Sequence, residues 1–284
     1  MATRELQAQP SRAGVFGAAA LFALACIGSE WARADSWPPD PYPAAKRVQA
    51  ARGFAGRSSG TVAFAVIDGD GGVRGLDEDR QFSSASVSKV LLLAAELRRL
   101  RAAERALDEG TRSRLKAMIT ASDNDAAGSI YAEVGDEGME QVAEHAGMTS
   151  FEVTPGYWGG AQVSAADLAR FFFRLNRTLV GPHGRYARGL LAHVASSQRW
   201  GIPEAAGSEW RVYFKGGWRP PATEETSGPV THQAALLRHR SGGRRVALAI
   251  LTDQSPGTTS FGILEGITQR LLAKPPGPVR WPAP

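Results

Sequence analysis

The chain has 284 residues, of which 43% are hydrophobic and 21% are charged, a balance typical of a globular protein that buries a sizeable core. This length predicts one domain, or one domain with an inserted lobe. The formal charge of +5 comes mainly from scattered arginines with few aromatic residues between them. Such a pattern indicates a solvated basic surface and argues against a nucleic-acid-binding face.

Residues 1–34 predict a secretory signal peptide. Basic residues precede an apolar run from Ala13 to Ile27, too short for a membrane span, and small residues after it favour cleavage behind Ala34. We therefore expect a secreted, extracellular or periplasmic protein, attached to a membrane only through an uncleaved anchor or a lipid on Cys26. Because Cys26 is the single cysteine, the mature chain is predicted to lack disulfides and cysteine metal sites.

Behind a Pro-rich linker at 35–43, the domain is predicted to span 44–272. A short helix is expected from Ala44 to Arg52, and "GTVAFAVIDGDGGVRGL" indicates two strands around a Gly-rich turn. From about 86 to 200, apolar residues recur at i, i+3 and i+4, which predicts a helical lobe.

Strand patterns return in "WRVYFK", "HQAALLRHR" and "RRVALAILTD", before a last helix from about Phe261 to Leu272 and a Pro-rich tail at 273–284. Two strands before the helical block and three after it predict an α/β (α+β) fold. Its five-stranded antiparallel sheet would be built from both chain ends and flanked by helices, with an inserted all-α lobe. A functional site is expected in the cleft between sheet and lobe.

The stretch "FSSASVSKVLLLAAEL" places Ser86 and Lys89 at the predicted junction between sheet and helix. The i, i+3 spacing puts both side chains on one face, and backbone N–H groups at a helix start can stabilise an oxyanion. Burial of Lys89 would favour its neutral, basic form. The alternative is that a serine of this stretch only caps the helix while Lys89 extends to solvent.

Two later motifs favour the catalytic interpretation. Ser122 and Asn124 belong to a Ser-Asp-Asn sequence between two predicted helices, a place that can present side chains into a cleft. Lys215, Gly216 and Gly217 end a predicted edge strand, where bare backbone lets a ligand approach closely.

With S-x-x-K, S-D-N and a K-G-G in place of K-T-G in this order, the chain resembles the penicillin-recognising serine hydrolases, in their class A β-lactamase-like branch. The resemblance implies no metal and no organic cofactor. It implies an acyl-enzyme on Ser86, with Lys89 as proton acceptor and Ser122 as proton shuttle. It further implies two more catalytic residues: Asn124, which would hold Lys89 and the substrate amide, and Lys215, which would supply positive charge beside Ser122. The oxyanion would lie between the backbone N–H groups of Ser86 and Trp218, and Gly216 and Gly217 would belong to the substrate-binding strand.

Three departures from that family pattern stand out. The E-x-x-L-N segment that supplies the deacylating base is absent, and Glu152, the one carboxylate between Gly147 and Ser164, is either a surrogate base or a surface acid. The stretch joining the first two motifs is also short. Finally, Gly216 lacks the hydroxyl that binds a substrate carboxylate, a contact left to one of four candidates: Arg219, Arg238, His232 or Gln233.

These features lead us to expect a monomeric serine hydrolase that acts on β-lactams or related amide and D-Ala peptide substrates with weak deacylation. A D,D-peptidase or amidase of cell-wall peptides and a non-catalytic penicillin-binding or wall-binding protein remain alternatives. A Ser-His-Asp triad would have to use His232. Four aromatic residues near the cleft form either a substrate wall or core packing: Tyr157, Trp158, Trp200 and Trp218.

Overall fold

The computed structural model describes residues 42–69, 71–219, 229–241, 244–253 and 257–272. All of them belong to one compact unit, Trp37–Pro284. The predictions that lie outside the described residues are the signal peptide with its cleavage after Ala34, the Cys26 lipid, most of the 35–43 linker and the 273–284 tail.

In the described ranges, strands lie on either side of a mostly helical block, and one helix precedes and another follows them, as the sequence predicts. The strands are β1 (Thr61–Ile67), β2 (Arg74–Leu76), β3 (Gln81–Ser83), β4 (Gln162–Ser164), β5 (Trp210–Arg219), β6 (Val230–His239) and β7 (Arg245–Asp253). The helices are α1 (Ala45–Ala55), α2 (Lys89–Ala102), α3 (Glu109–Lys116), α4 (Asn124–Ala146), α5 (Ala165–Phe173), α6 (Leu175–Thr178), α7 (Gly184–Ala192), α8 (Ile202–Ala206) and α9 (Gly257–Leu272).

The main sheet has five strands in the order β2-β1-β7-β6-β5, and every neighbouring pair is antiparallel. The predicted five-stranded sheet from both chain ends is therefore confirmed. The strand carrying the third motif, β5, forms one edge, with Lys215 opposite Ala234 and Gly216 opposite Gln233. An edge strand leaves backbone N–H and C=O groups open for pairing, which suits a substrate-binding position.

Both faces of this sheet are covered, which explains why β1 is apolar throughout. Its side chains alternate between two cores because successive residues of a strand point to opposite faces. Ala63 and Ala65 pack with the helical block, whereas Val62, Phe64 and Val66 pack with α1 and α9. Beyond the predicted terminal helices, α5 covers the first face by packing against β1, β6 and β7.

The helical lobe differs from the predicted pattern in two places. A short two-stranded sheet pairs β3 with β4, opposing Phe82 to Val163, so the 86–200 segment is not purely helical. Three-residue strands are too short to produce a readable alternation. In addition, two predicted helices form the single element α4, which is interrupted at Gly135 with φ 62° and ψ −172°. That conformation is accessible to glycine and strained for other residues.

Within the described part of the chain, no helix is both long enough and apolar enough to cross a membrane.

Candidate active site

Ser86 lies on one short turn of helix, Ala85–Ser88, between β3 and the buried helix α2. Ala85 has φ 47°, a left-handed conformation that costs a non-glycine residue free energy and that often occurs at functional sites. Neither Ser84 nor Ser88 forms a side-chain cap on the helical segment that follows it. The Ser86 hydroxyl takes part in none of the hydrogen bonds found among the described residues.

Lys89 is fully buried at the first position of α2 and does not extend to solvent. Its Nζ donates to Ser122 O at 2.5 Å and to Asn124 Oδ1 at 2.7 Å, and it lies 3.3 Å from Ser122 Oγ. Burial lowers the pKa of Lys89 to about 8, while the charge of Asp123 acts in the opposite direction. Lys89 is thus a stronger candidate for a neutral amine than an exposed lysine.

Ser122 is positioned by an irregular junction between α3 and α4. One wide helical turn, Ala117–Ala121, leads to Ser122 in the left-handed region, with φ 61° and ψ 33°. Asp123 caps α4 by accepting a hydrogen bond from Ala126 N at 2.7 Å. Because Asp123 serves as the cap, Ser122 and Asn124 on either side of it are both available to the cleft.

The second buried amine, Lys215 on β5, reaches the same hydroxyl. Its Nζ donates to Ser122 Oγ at 2.9 Å and to Gly216 O at 2.7 Å. Burial holds the pKa of Lys215 well below its usual range, and repulsion by Lys89 adds to this effect. Within the described ranges, no carboxylate forms a salt bridge with either lysine.

The two glycines after Lys215 stand in different surroundings. A Cβ at Gly217 would lie 2.7 Å from Val87 N and 2.9 Å from Ser86 N, closer than real side chains approach. The backbone of β5 therefore runs directly against the Ser86 turn, and only glycine permits this. A Cβ at Gly216 would meet nothing nearer than 3.6 Å, so this position has room for a side chain.

Glu152 is not part of this group. It is exposed, and its backbone pairs with Gln162 beside β4. No hydrogen bond joins its carboxylate to Ser122 or to either lysine in the part of the chain that the structure describes. Its exposure fits the surface-acid interpretation, and its role as a surrogate base stays a prediction.

An indole ring lies beside the first buried amine. The ring of Trp158 is centred 4.9 Å from Lys89 Nζ. Its loop is held by hydrogen bonds from Ser84 N to Ala161 O at 2.8 Å and from Gly156 N to Asp136 Oδ2 at 3.2 Å. The sequence indicated that Trp158 either lines the substrate cleft or packs in the core, but it gave no signal that the ring lies beside Lys89.

Of the four candidates for binding a substrate carboxylate, two are hydrogen-bonded to backbone groups and one lies far from the motif along the sheet. His232 is buried between Ser83 O at 3.0 Å and Thr252 N at 3.1 Å, and burial lowers its pKa to about 4. The side chain of Gln233 binds Ile202 N at 2.7 Å and Trp200 O at 2.7 Å. The remaining two candidates differ in position: Arg238 pairs with Arg211 near the other end of β5, whereas Arg219 follows Trp218 and donates to Ser83 Oγ at 3.2 Å.

The alternative triad through His232 does not form among the described residues. Both ring nitrogens of His232 face backbone groups, and the ring is fully buried. A general base needs one nitrogen aimed at the nucleophile and a carboxylate on the other. Across the described residues, no group of three or more His, Cys, Asp or Glu side chains is placed to hold a metal ion.

Solved structures share this fold at low sequence identity. A beta-lactamase from Sphaerobacter thermophilus is 19% identical with a TM-score of 0.67, covering 79% of this chain and 95% of its own. A class A beta-lactamase from Bacteroides cellulosilyticus is 15% identical with a TM-score of 0.71, covering 82% and 98%. A structure described as PBP-A is 16% identical with a TM-score of 0.69, covering 83% and 97%.

No curated protein matches the chain in sequence. The family model described as "Beta-lactamase enzyme family" matches residues 110–273, which include the second and third motifs and begin after Ser86. Because that match spans more than half of the chain, the protein belongs to the beta-lactamase enzyme family, within the class A-like penicillin-recognising serine hydrolases.

Proposed function

We propose that the protein is an exported serine hydrolase that opens β-lactam or related amide bonds through an acyl-enzyme on Ser86 and releases the acyl group slowly. One observation carries this proposal: two buried lysines without carboxylate partners among the described residues converge on Ser122 Oγ beside the Ser86 turn. Buried amines with lowered pKa values that share one hydroxyl are suited to moving protons.

Acylation would proceed in one balanced sequence. Ser86 Oγ forms a bond to the carbonyl carbon while its proton passes to Lys89 Nζ. The carbon–nitrogen bond then breaks, and the leaving nitrogen takes a proton from Ser122 Oγ, which Lys89 replenishes across 3.3 Å. The oxyanion would accept hydrogen bonds from the backbone N–H groups of Ser86 and Trp218. Trp218 follows Gly217, whose lack of a side chain lets β5 approach the Ser86 turn.

Deacylation would be the weak step because Trp158, and not a carboxylate, covers Lys89. A water molecule attacking the ester needs a base that accepts its proton. Lys89 would then have to serve in both steps, and an apolar ring beside it disfavours an ordered water.

A second candidate is a D,D-peptidase of cell-wall peptides, because the two lysines that share Ser122 Oγ suit the same acyl-enzyme chemistry on a peptide amide. Product analysis after muropeptide digestion discriminates between the two functions.

The first prediction concerns covalent capture. Incubation with a penicillin should add the mass of one intact β-lactam to the wild-type protein, because ring opening releases no fragment, and nothing to Ser86→Ala. Intact-mass spectrometry measures both, and the persistence of the adduct over time measures deacylation. An adduct retained in Ser86→Ala contradicts the nucleophile, and rapid turnover of a chromogenic cephalosporin contradicts slow deacylation.

The second prediction concerns pH. Neutral Lys89 is the proton acceptor, so the acylation rate should rise with pH and level off above its pKa of about 8. Stopped-flow measurement of the second-order acylation rate from about pH 6 to about pH 10 checks this profile. Lys89→Arg, whose guanidinium stays charged, should acylate slowly with no such rise. A flat wild-type profile would remove Lys89 from the role of base.

The third prediction uses the two neighbouring glycines as a matched pair. Gly217→Ala should slow acylation by roughly a hundredfold or more, because its Cβ pushes β5 away from the Ser86 amide. Gly216→Ala adds the same methyl group one residue earlier, where the nearest atom is 3.6 Å away, and should keep near wild-type rates. Circular dichroism establishes that both variants are folded, and equal rates in the two would refute the close approach.

The fourth prediction concerns export. The chain expressed with its own N-terminus should be recovered from the periplasm or the medium, with a mature N-terminus at Asp35. Mass spectrometry of the purified protein measures this terminus. A cytoplasmic protein that keeps residues 1–34 would contradict export, and a lipid-modified Cys26 would favour the anchored alternative.

A further inference from the structure

The group that protonates the leaving atom indicates on which side of the cleft the leaving group lies. Ser122 Oγ accepts a hydrogen bond from Lys215 Nζ at 2.9 Å, the shorter of its two lysine contacts. In the proposed mechanism this hydroxyl protonates the leaving atom, so the leaving group lies beside Lys215 and the residues that follow it on β5. Of these, Gly216 and Trp218 share one face of the strand.

Aromatic rings, and not polar side chains, define this face. Trp218 is 44% exposed, and its ring is centred 6.0 Å from Lys215 Nζ. Trp200 packs edge-on against it at 6.0 Å and stacks on Phe261 at 4.3 Å. The Trp200 ring also lies 3.6 Å from the position that a Cβ of Gly216 would take. Trp200, itself stacked on Phe261, thus supports the partly exposed ring of Trp218 next to Gly216, which has no side chain.

The groups that could recognise a carboxylate are either hydrogen-bonded within the core or lie off this face. Gly216 offers no hydroxyl, and the buried side chains of His232 and Gln233 are bonded to backbone groups. The guanidinium of Arg219 donates to Ser83 Oγ, on the face of β5 that also carries Lys215. A bare glycine backbone beside exposed indole surface is instead suited to a flat, apolar group, because aromatic rings stack or pack edge to face.

We infer that Trp218, Trp200 and Gly216 form a leaving-group subsite for a flat, uncharged ring, which makes the enzyme prefer aromatic leaving groups over those that carry a carboxylate. This inference rests on the proposed acyl-enzyme function and specifies its substrate class. Trp218 determines the preference through its ring.

Two thioesters that share one acyl group test this inference. Phenylacetylglycine is linked to benzyl mercaptan in one and to mercaptoacetate in the other, so the leaving groups differ in ring and carboxylate. First-turnover release of each thiol, divided by the rate of its alkaline hydrolysis, gives the corrected acylation rate. The benzyl thioester should react about tenfold faster or more by this measure.

Matched variants separate the ring from general damage. Trp218→Ala should reduce the benzyl rate roughly tenfold more than the mercaptoacetate rate. Gly216→Ser should raise the mercaptoacetate rate by restoring a hydroxyl where a Cβ fits. Tyr157→Ala, which removes another exposed ring (54%) from a different loop, should leave the preference intact.

The outcomes are distinguishable. The subsite is wrong, while the acyl-enzyme function stands, if both thioesters form an adduct on Ser86 with no ring preference. The same conclusion follows if Trp218→Ala lowers both rates equally. Failure of both thioesters and of penicillin to form any adduct overturns the subsite and the proposed function together. A corrected preference for the benzyl thioester that Trp218→Ala abolishes supports the inference.

Discussion

Two amines, Lys89 and Lys215, are buried around a single hydroxyl with no ion-pair partner in the described part of the chain, and the arrangement of the site depends on this constraint. Removing an ammonium group from water is costly, and the protein offers these amines carbonyl and hydroxyl oxygens in place of carboxylates. Burial disfavours the charged state of both amines, and repulsion by Lys89 adds to this effect at Lys215. The burial of these amines, which costs folding free energy, therefore also makes them better proton acceptors.

Holding the amines there requires local geometry that the flanking elements impose. Lys89 begins a helix whose residues through Leu97 are all buried, so the amine cannot move outward without moving the core. Ser122 is turned toward both lysines by a left-handed backbone conformation. Lys215 comes from an edge strand that contacts the Ser86 turn through Gly217. Three separate segments thus meet within hydrogen-bonding distance because each is anchored in a different part of the core.

The sheet and the motif residues were predictable because their signals are local and strong. Apolar strands at both chain ends predicted the antiparallel sheet, and the three motifs predicted that Lys89, Ser122 and Lys215 lie together. The short β3–β4 pair and the left-handed conformation of Ala85 were not predictable, since three-residue strands carry no period and alanine has no preference for positive φ. The position of Trp158 depends on loop contacts to Ser84 and Asp136, which no pattern in the sequence reveals.

Both buried lysines have an indole ring nearby. Trp158 is centred 4.9 Å from Lys89 Nζ, and Trp218 is centred 6.0 Å from Lys215 Nζ. Such rings exclude water, but their faces also attract a protonated amine, so the lowered pKa values of the two lysines come chiefly from burial. In the proposed mechanism, the ring beside Lys89 disfavours the ordered water that ester hydrolysis needs. Under the proposed mechanism, such a site would form an acyl-enzyme more readily than it resolves it, and the proposed Trp218 subsite would select leaving groups by ring packing more than by charge.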